Sequence, residues 1–339
     1  MNTSTRNYAQ RLTNFGRAIC LVAPLLALGG CSALKEKLGM GVQLDKVPVS
    51  TMEASLWKGP GIAPGQKAAL VVVFAQPDGK ILRTEGKGSG TVMWKDLLVT
   101  PTIVTADQKG NISLRHDPRF SDSKVGHVTI TAPSHPDLRA ELDIPFRYDV
   151  AFTSNFSGSS GTDGSSGADG NDGISGSPGS IDPNNPSPGG DGTDGSDGSA
   201  GHDGGPGGDA PPVQVRVTFK SETHPMLQIS VKAGSHERFY LVDTQGGSLS
   251  IKADGGLGGS GGRGGHGGRG GSGGSGIPDG RNGREGLSGH DGFPGSQGRG
   301  GRITVTYDPQ AKPYLALIHT SSRNGPSPDF VESPVPPLW

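Results

Sequence analysis

Residues 255–276 read GGLGGSGGRGGHGGRGGSGGSG. Glycine returns at every third position and, except at Gly276, is followed by a second glycine. Three further stretches keep the same three-residue frame, mostly with one glycine per triplet: 158–179, 189–208 and 280–301. Sixty of the 339 residues are glycine, against a usual share of about 7%. The first two stretches are joined by SIDPNNPSP and the last two by IPD, both of which break the frame and carry proline. A flexible spacer needs glycine and serine but no frame, so a frame kept through four blocks of similar length points to a folded object.

Three folded readings compete. Collagen demands glycine at every third position because only glycine fits at the axis of three polyproline II chains. The frame here meets that demand, but proline is sparse, the blocks are short, and a three-residue connector invites an antiparallel return. A calcium reading starts from GGDGTD (189–194), which resembles the opening of the RTX nonapeptide. Ser196 stands where that repeat needs a large apolar residue. Asp191, Asp194 and Asp197 are therefore expected at most as a loose cation site, with calcium as the ion. In the third reading, polyproline-II-type segments with three residues per turn present one bare glycine column each and pack side by side through backbone bonds. This pattern resembles the polyglycine-II bundles of snow flea antifreeze proteins and the glycine-rich tips of phage tail-fibre adhesins. The resemblance implies two antiparallel hairpins within one chain. Segment 255–276, with two bare columns, is expected to be the interior one. Its third column (Leu257, Ser260, Arg263, His266, Arg269, Ser272, Ser275) should line an exposed edge. The first pair carries many aspartates and no Lys or Arg, whereas the second is rich in arginine, so opposite charge should favour docking of the pairs, weakly for each exposed contact. The antifreeze likeness also implies ice binding, against which the charged columns argue.

The N-terminus speaks to address. Arg6, Arg11 and Arg17 form a basic region, and AICLVAPLLAL (18–28) follows, too short for a lasting membrane span. LGGC (28–31) resembles the lipobox of bacterial lipoproteins. That resemblance implies a signal peptide over 1–30, lipid (palmitate-type acyl chains) on Cys31, and a mature chain held at the outer membrane, facing the periplasm or the exterior. Cys20 leaves with the signal, so no disulfide is expected. A formal net charge of −1 implies no general attraction to nucleic acid.

Between the glycine blocks lie two β-patterned windows. In 65–153, ALVVVFAQ (69–76), the Asp78-Gly79 turn and KILRTE (80–85) read as a hairpin. Short strand-like runs continue through TVMWKD (91–96), LLVTPTIVTA (97–106), HVTITAP (127–133) and RAELDIPFRYDV (139–150). The rhythm resembles the immunoglobulin-like sandwiches of bacterial surface proteins. The second window, 213–254, opens with the clean alternation VQVRVTFK (213–220) and resumes at 302–321. The expected class is mainly β: an Ig-like sandwich, then a small antiparallel β module carrying glycine-repeat hairpins. The expected order is tether 31–64, sandwich 65–153, acidic repeat 154–212, β module 213–254, basic repeat 255–301, module end 302–321 and a disordered tail 322–339.

No GxSxG, HExxH, P-loop or CxxC occurs. His224, His236 and His319 lack metal-ligand spacing. No catalytic residue, resident metal or cofactor is expected. The expectation is a non-enzymatic, lipid-anchored envelope protein with a structural or adhesive role, meeting the membrane through its anchor and a protein or polysaccharide at its surface. A calcium- or ligand-binding module and a collagen-like trimeric stalk are the alternatives, the chain being a monomer unless collagen-like.

Overall fold

The computed structural model describes residues 41–220 and 224–339. The expected signal peptide (1–30) and Cys31 lie outside the described residues. The chain divides into two compact units at Tyr148/Asp149, and its architecture is mainly β.

In the first unit, β1 (Thr51–Leu56), β2 (Lys67–Ala75), β3 (Ile81–Arg83), β5 (Thr105–Ala106) and β6 (Asn111–Ser113) form one antiparallel sheet. A second antiparallel sheet holds β4 (Leu98–Thr102), β7 (Gly126–Ala132) and β8 (His135–Ile144). Alternation decides which face goes inward. On β2, Leu70, Val72 and Phe74 are buried, and on β7, Val128, Ile130 and Ala132 are. Both sheets contribute to one apolar core. The β2–β3 hairpin closes at Asp78-Gly79 as expected, with Gln76 N donating to Lys80 O and Gly79 at φ +85°.

Three expectations need correction here. Residues 41–64 are no tether: β1 pairs with β2 along its whole length, and Leu44, Met52 and Ile62 are buried in the core. The run 91–96 forms a 3₁₀ turn, Trp94–Asp96, in place of a strand. Trp94 lies against Gly110, whose φ of +71° leaves no room for a Cβ beside the indole. Finally, β9 (Ala151–Asn155) ends the sandwich window in sequence but belongs to the second unit, where it pairs with β13 (Ser248–Lys252).

The second unit is built around its glycine segments, here I (158–179), II (189–208), III (255–276) and IV (280–301). β10 (Val213–Lys220), β11 (Met226–Ala233) and β12 (His236–Asp243) form the expected antiparallel meander. The module is otherwise parallel, contrary to expectation. β14 (Ile303–Tyr307) runs parallel to β10, and β9, β13 and β15 (Ile318–Ser321) form a wholly parallel sheet. The cause is connectivity: β9 leads through I and II to β10, and β13 leads through III and IV to β14. Two strand–glycine pair–strand units thus lie side by side in the same direction. Both sheets bury one core, including Val215, Ile229, Leu249, Ile251 and Val305.

The tail is also ordered. β16 (Asp329–Glu332) pairs with β14 in parallel, and Val335 is buried with its carbonyl accepting from Thr218 Oγ1 at 2.9 Å. All four β16 residues are exposed, so backbone pairing and the Arg302–Asp329 and Lys312–Glu332 ion pairs hold this strand, and an apolar pattern could not announce it. Between β14 and β15, Pro309–Leu317 forms a 3₁₀ segment capped by Asp308.

Candidate binding surface on the glycine segments

The four segments are neither helical nor part of a sheet, yet their backbones are bonded throughout. Segment I donates from its glycines to III, from Gly161 N to Leu257 O at 2.8 Å up to Gly179 N to Ser275 O at 2.7 Å. These partners advance together, so I and III are parallel. Segment II donates from its glycines to IV, as in Gly195 N to Arg284 O at 2.9 Å, also in parallel. Segment III donates to II (Gly265 N to Ser199 O, 2.9 Å), II donates to I (Ser199 N to Ala168 O, 2.9 Å), and IV donates to III (Gly289 N to Gly265 O, 2.8 Å). In these three sets one partner number rises while the other falls, so the pairs are antiparallel.

Segments II and III each meet all three others, whereas I and IV meet two. The expectation that III alone is interior is therefore corrected: II shares that position, because two parallel pairs bonded along the II–III contact place both at the centre. The expected exposed column is present. From Leu257 to Ser275 every third residue of III is exposed, while the column Gly256 to Gly274 is buried.

Glycine is required in the columns for space. A Cβ on Gly265 would land on the Ala168 carbonyl, one on Gly264 on the Gly289 carbonyl, and one on Gly195 on the Gly268 carbonyl. None of the column glycines has a left-handed φ. Bare Cα atoms let backbones approach closely enough to pair groups that a buried chain cannot leave unpaired.

The aspartates have a role that sequence reasoning missed. Asp163 Oδ1 accepts from Ser260 N at 2.7 Å, while the next residue, Gly164, donates its N–H to Ser260 O at 2.8 Å. Asp and Gly together grip both backbone polar groups of one residue on the neighbouring segment. Asp169 and Asp172 grip His266 and Arg269 in the same way. Between II and IV, Asp191, Asp194, Asp197 and Asp203 grip Arg281, Arg284, Leu287 and Phe293, with Oδ1 to N distances of 2.6–2.7 Å. Between I and II, Thr193, Ser196 and Ser199 do the same with a hydroxyl and their own N–H. The partner numbers in the I–III grips differ by 97, as in the β9–β13 register; those in II–IV differ by 90, as in β10–β14. One register thus runs from sheet into glycine segments. The signal in the sequence was Asp immediately before a frame glycine, recurring within the first pair.

This geometry corrects the charge argument. Arg263, Arg269, Arg281, Arg284 and Arg299 form no ion pair among the described residues, and only Arg302 pairs, with Asp329 at 3.0 Å. The acidic pair docks on backbone N–H groups. The same holds for the candidate cation residues: Asp191, Asp194 and Asp197 sit in a row, each with one carboxylate oxygen already occupied by a backbone donor. Among the described residues no group of three His, Cys, Asp or Glu could hold a metal ion.

At the root of segment III, Asp254 is 5% exposed and makes the same grip on Arg323. Its Oδ1 accepts from Arg323 N at 2.7 Å and from Ser321 Oγ at 2.5 Å, and Gly255 N donates to Arg323 O at 3.0 Å. The Arg323 N–H, then the Ser321 hydroxyl, hold this carboxyl below its ordinary pKa.

What remains for recognition is the outside. Phe293 and Leu287 on IV are 76% and 73% exposed, and Ile174 on I is 74% exposed. Ile181 and Ile277 stand on the two connectors, which meet where Ile277 N donates to Ser187 O at 3.0 Å. The columns of I and II that face each other hold Ser, Thr, Ala, Asn, Ile and Gly with His202 and no other ionisable residue.

No protein-family model, curated protein or solved structure matches the chain. No helix among the described residues is long and apolar enough to cross a membrane.

Proposed function

We propose that this is a non-enzymatic, lipid-anchored envelope protein whose glycine segments form a polyglycine-II-type bundle serving as a rigid display surface. On this reading the first unit is an Ig-like spacer, Cys31 carries the lipid, and the protein resides at the outer membrane. Segments I, III and IV have 22 residues each and II has 20; at about 3.1 Å per residue the slab is roughly 68 Å long. The observation that carries the proposal is the division of labour within each triplet. Glycine backbones make the interior, so the outer columns present side chains, among them exposed Phe293 and Leu287 and arginines, a residue type enriched at binding hot spots. A protein or polysaccharide of the cell surface is the proposed partner.

The decisive experiment uses full-length protein expressed in a bacterial host with labelled palmitate. Label on the wild type and none on Cys31→Ser, with the wild type in the outer-membrane fraction, supports the anchor. Equal labelling, or a soluble wild type, sinks it. Light scattering with far-UV circular dichroism of the chain from Ser32 onward then tests the bundle. A monomer with a polyproline-II-type signal is expected; a trimer would favour collagen, and a melting point raised by calcium would favour the cation-binding alternative.

One observation favours a second reading, ice binding. The I–II face is nearly free of ionisable groups, so the charged columns do not argue against it there. Absence of thermal hysteresis in the purified protein would remove it.

A further inference from the structure

Aspartyl–glycyl bonds are the chemically weak points of a polypeptide. The glycine nitrogen attacks the aspartate Cγ and water leaves, closing a succinimide ring. Water then reopens the ring at either carbonyl, giving aspartate or isoaspartate. The attack needs the carboxyl turned toward its own glycine nitrogen, and that N–H free to lose its proton. Glycine, lacking a Cβ, offers no obstruction. This chain contains many such bonds, mostly in segments I and II.

The grips described above withdraw both reactants. At Asp172–Gly173 the carboxylate is held by Arg269 N at 2.7 Å and the glycine N–H by Arg269 O at 2.7 Å. Asp194–Gly195 is held in the same way on Arg284, Asp203–Gly204 on Phe293, and buried Asp254–Gly255 on Arg323. In each case the two groups are fixed to a residue far away in sequence. Reaction then requires a local opening that breaks a charge-assisted hydrogen bond and a backbone bond together. Asp78–Gly79 differs. It sits exposed in the β2–β3 turn, with Asp78 Oδ1 bonded to Lys80 N at 3.0 Å and Gly79 N to Gln76 O at 2.9 Å. All its partners lie within three residues, so the turn can open without disturbing the core.

We propose that the glycine-segment grips protect their Asp–Gly bonds from isomerisation, and that exposed Asp78–Gly79 isomerises faster in the folded protein than the gripped bonds do. The protection extends the life of a protein whose backbone would otherwise be liable to damage along a quarter of its length.

The test is peptide mapping of isoaspartate by mass spectrometry after prolonged incubation of the full chain. The same chain in urea supplies the intrinsic rate at each bond. In the folded protein, Asp172, Asp194 and Asp203 should isomerise at least about tenfold more slowly than in urea, the scale set by losing a hydrogen bond to a charged group, while Asp78 stays near its urea rate. Ladder sites that match their urea rates while circular dichroism shows an intact fold would overturn the proposal, as would protection of Asp78 equal to theirs. Gly268→Ala supplies the second arm, because its Cβ would strike the Asn171 carbonyl. This variant should raise the rate at Asp172 and Asp194 and leave Asp78 unchanged, even if the segments separate completely; unchanged ladder rates would show that the grips are not the cause.

Discussion

The first unit and the glycine segments of the second exclude water in opposite ways. In the first, β2 and β7 turn Leu70, Val72, Phe74, Val128 and Ile130 inward, and the core is made of side chains. Among the glycine segments the interior is made of backbone, and side chains are what has been removed from it. Ordering glycine costs more conformational entropy than ordering any other residue. The glycine assembly offsets that cost by bonding nearly every frame glycine N–H to another segment and many neighbouring N–H groups to Asp, Ser or Thr side chains. A side-chain core can repack around a small change. A backbone core cannot, since the colliding atom is a carbonyl held in its own hydrogen bond.

That contrast predicts the largest effect. Gly265→Ala adds one methyl group where the Ala168 carbonyl oxygen already stands, and should destabilise the second unit by about 4 kcal/mol or more, the range of exceptional point mutants. Ile130→Ala in the first unit removes far more material yet should cost only about 2–5 kcal/mol, as cavity-forming substitutions do. Calorimetric melts of both variants, read for each unit's transition, provide the check. If alanine at 265 is tolerated more easily than alanine at 130, the backbone core is not as tightly packed as the columns require.

How much of this was legible beforehand follows the same division. The strands of the first unit could be read because period-two alternation records which face is buried. The three-residue frame was legible for the same reason, as a record of which column is buried. What escaped was whatever no apolar pattern marks. β16 has four exposed residues and no apolar pattern, so residues 322–339 read as a tail. β1 buries little beyond Met52, so 41–64 read as a tether. Parallel pairing of β9 with β13 depends on where two glycine pairs return the chain, which no local window contains. The aspartates were seen as charge, to be spent on arginines or cations. Their use as acceptors for particular backbone N–H groups could be recognised only once the offsets of 97 and 90 were known.

The next effect sharpens the comparison by pH. Asp254 is buried at the root of segment III, with its pKa lowered chiefly by the Arg323 N–H and then by the Ser321 hydroxyl. A carboxyl whose folded pKa lies below its unfolded value stabilises the fold fully above the unfolded pKa of about 4, and that contribution is lost as pH falls through the folded value. The second unit's melting temperature should therefore drop on acidification below about pH 4. Asp254→Asn should lower it at neutral pH and flatten the acid dependence. An Asn variant with the wild-type acid slope would assign that slope to other carboxyls.

The smallest effect separates geometry from charge. Asp194 is exposed, so removing its grip on Arg284 N should cost only about 1 kcal/mol in Asp194→Ala, at the low end for a hydrogen bond to a charged group because solvent screens it. Asp194→Glu keeps the charge but adds a methylene. Glu285 in segment IV carries that longer side chain and makes no such backbone bond, whereas its shorter neighbour Asn282 accepts from Gly273 N at 2.8 Å. The reach of one carbon is thus part of the grip, and Asp194→Glu should fail to restore the loss seen in Asp194→Ala. If glutamate does restore it in urea melts at low and high salt alike, the carboxylate acts at position 194 without the one-carbon geometry. If it restores stability only at low salt, long-range attraction to the arginines of segment IV is what binds the pairs, and the backbone grips are secondary to it.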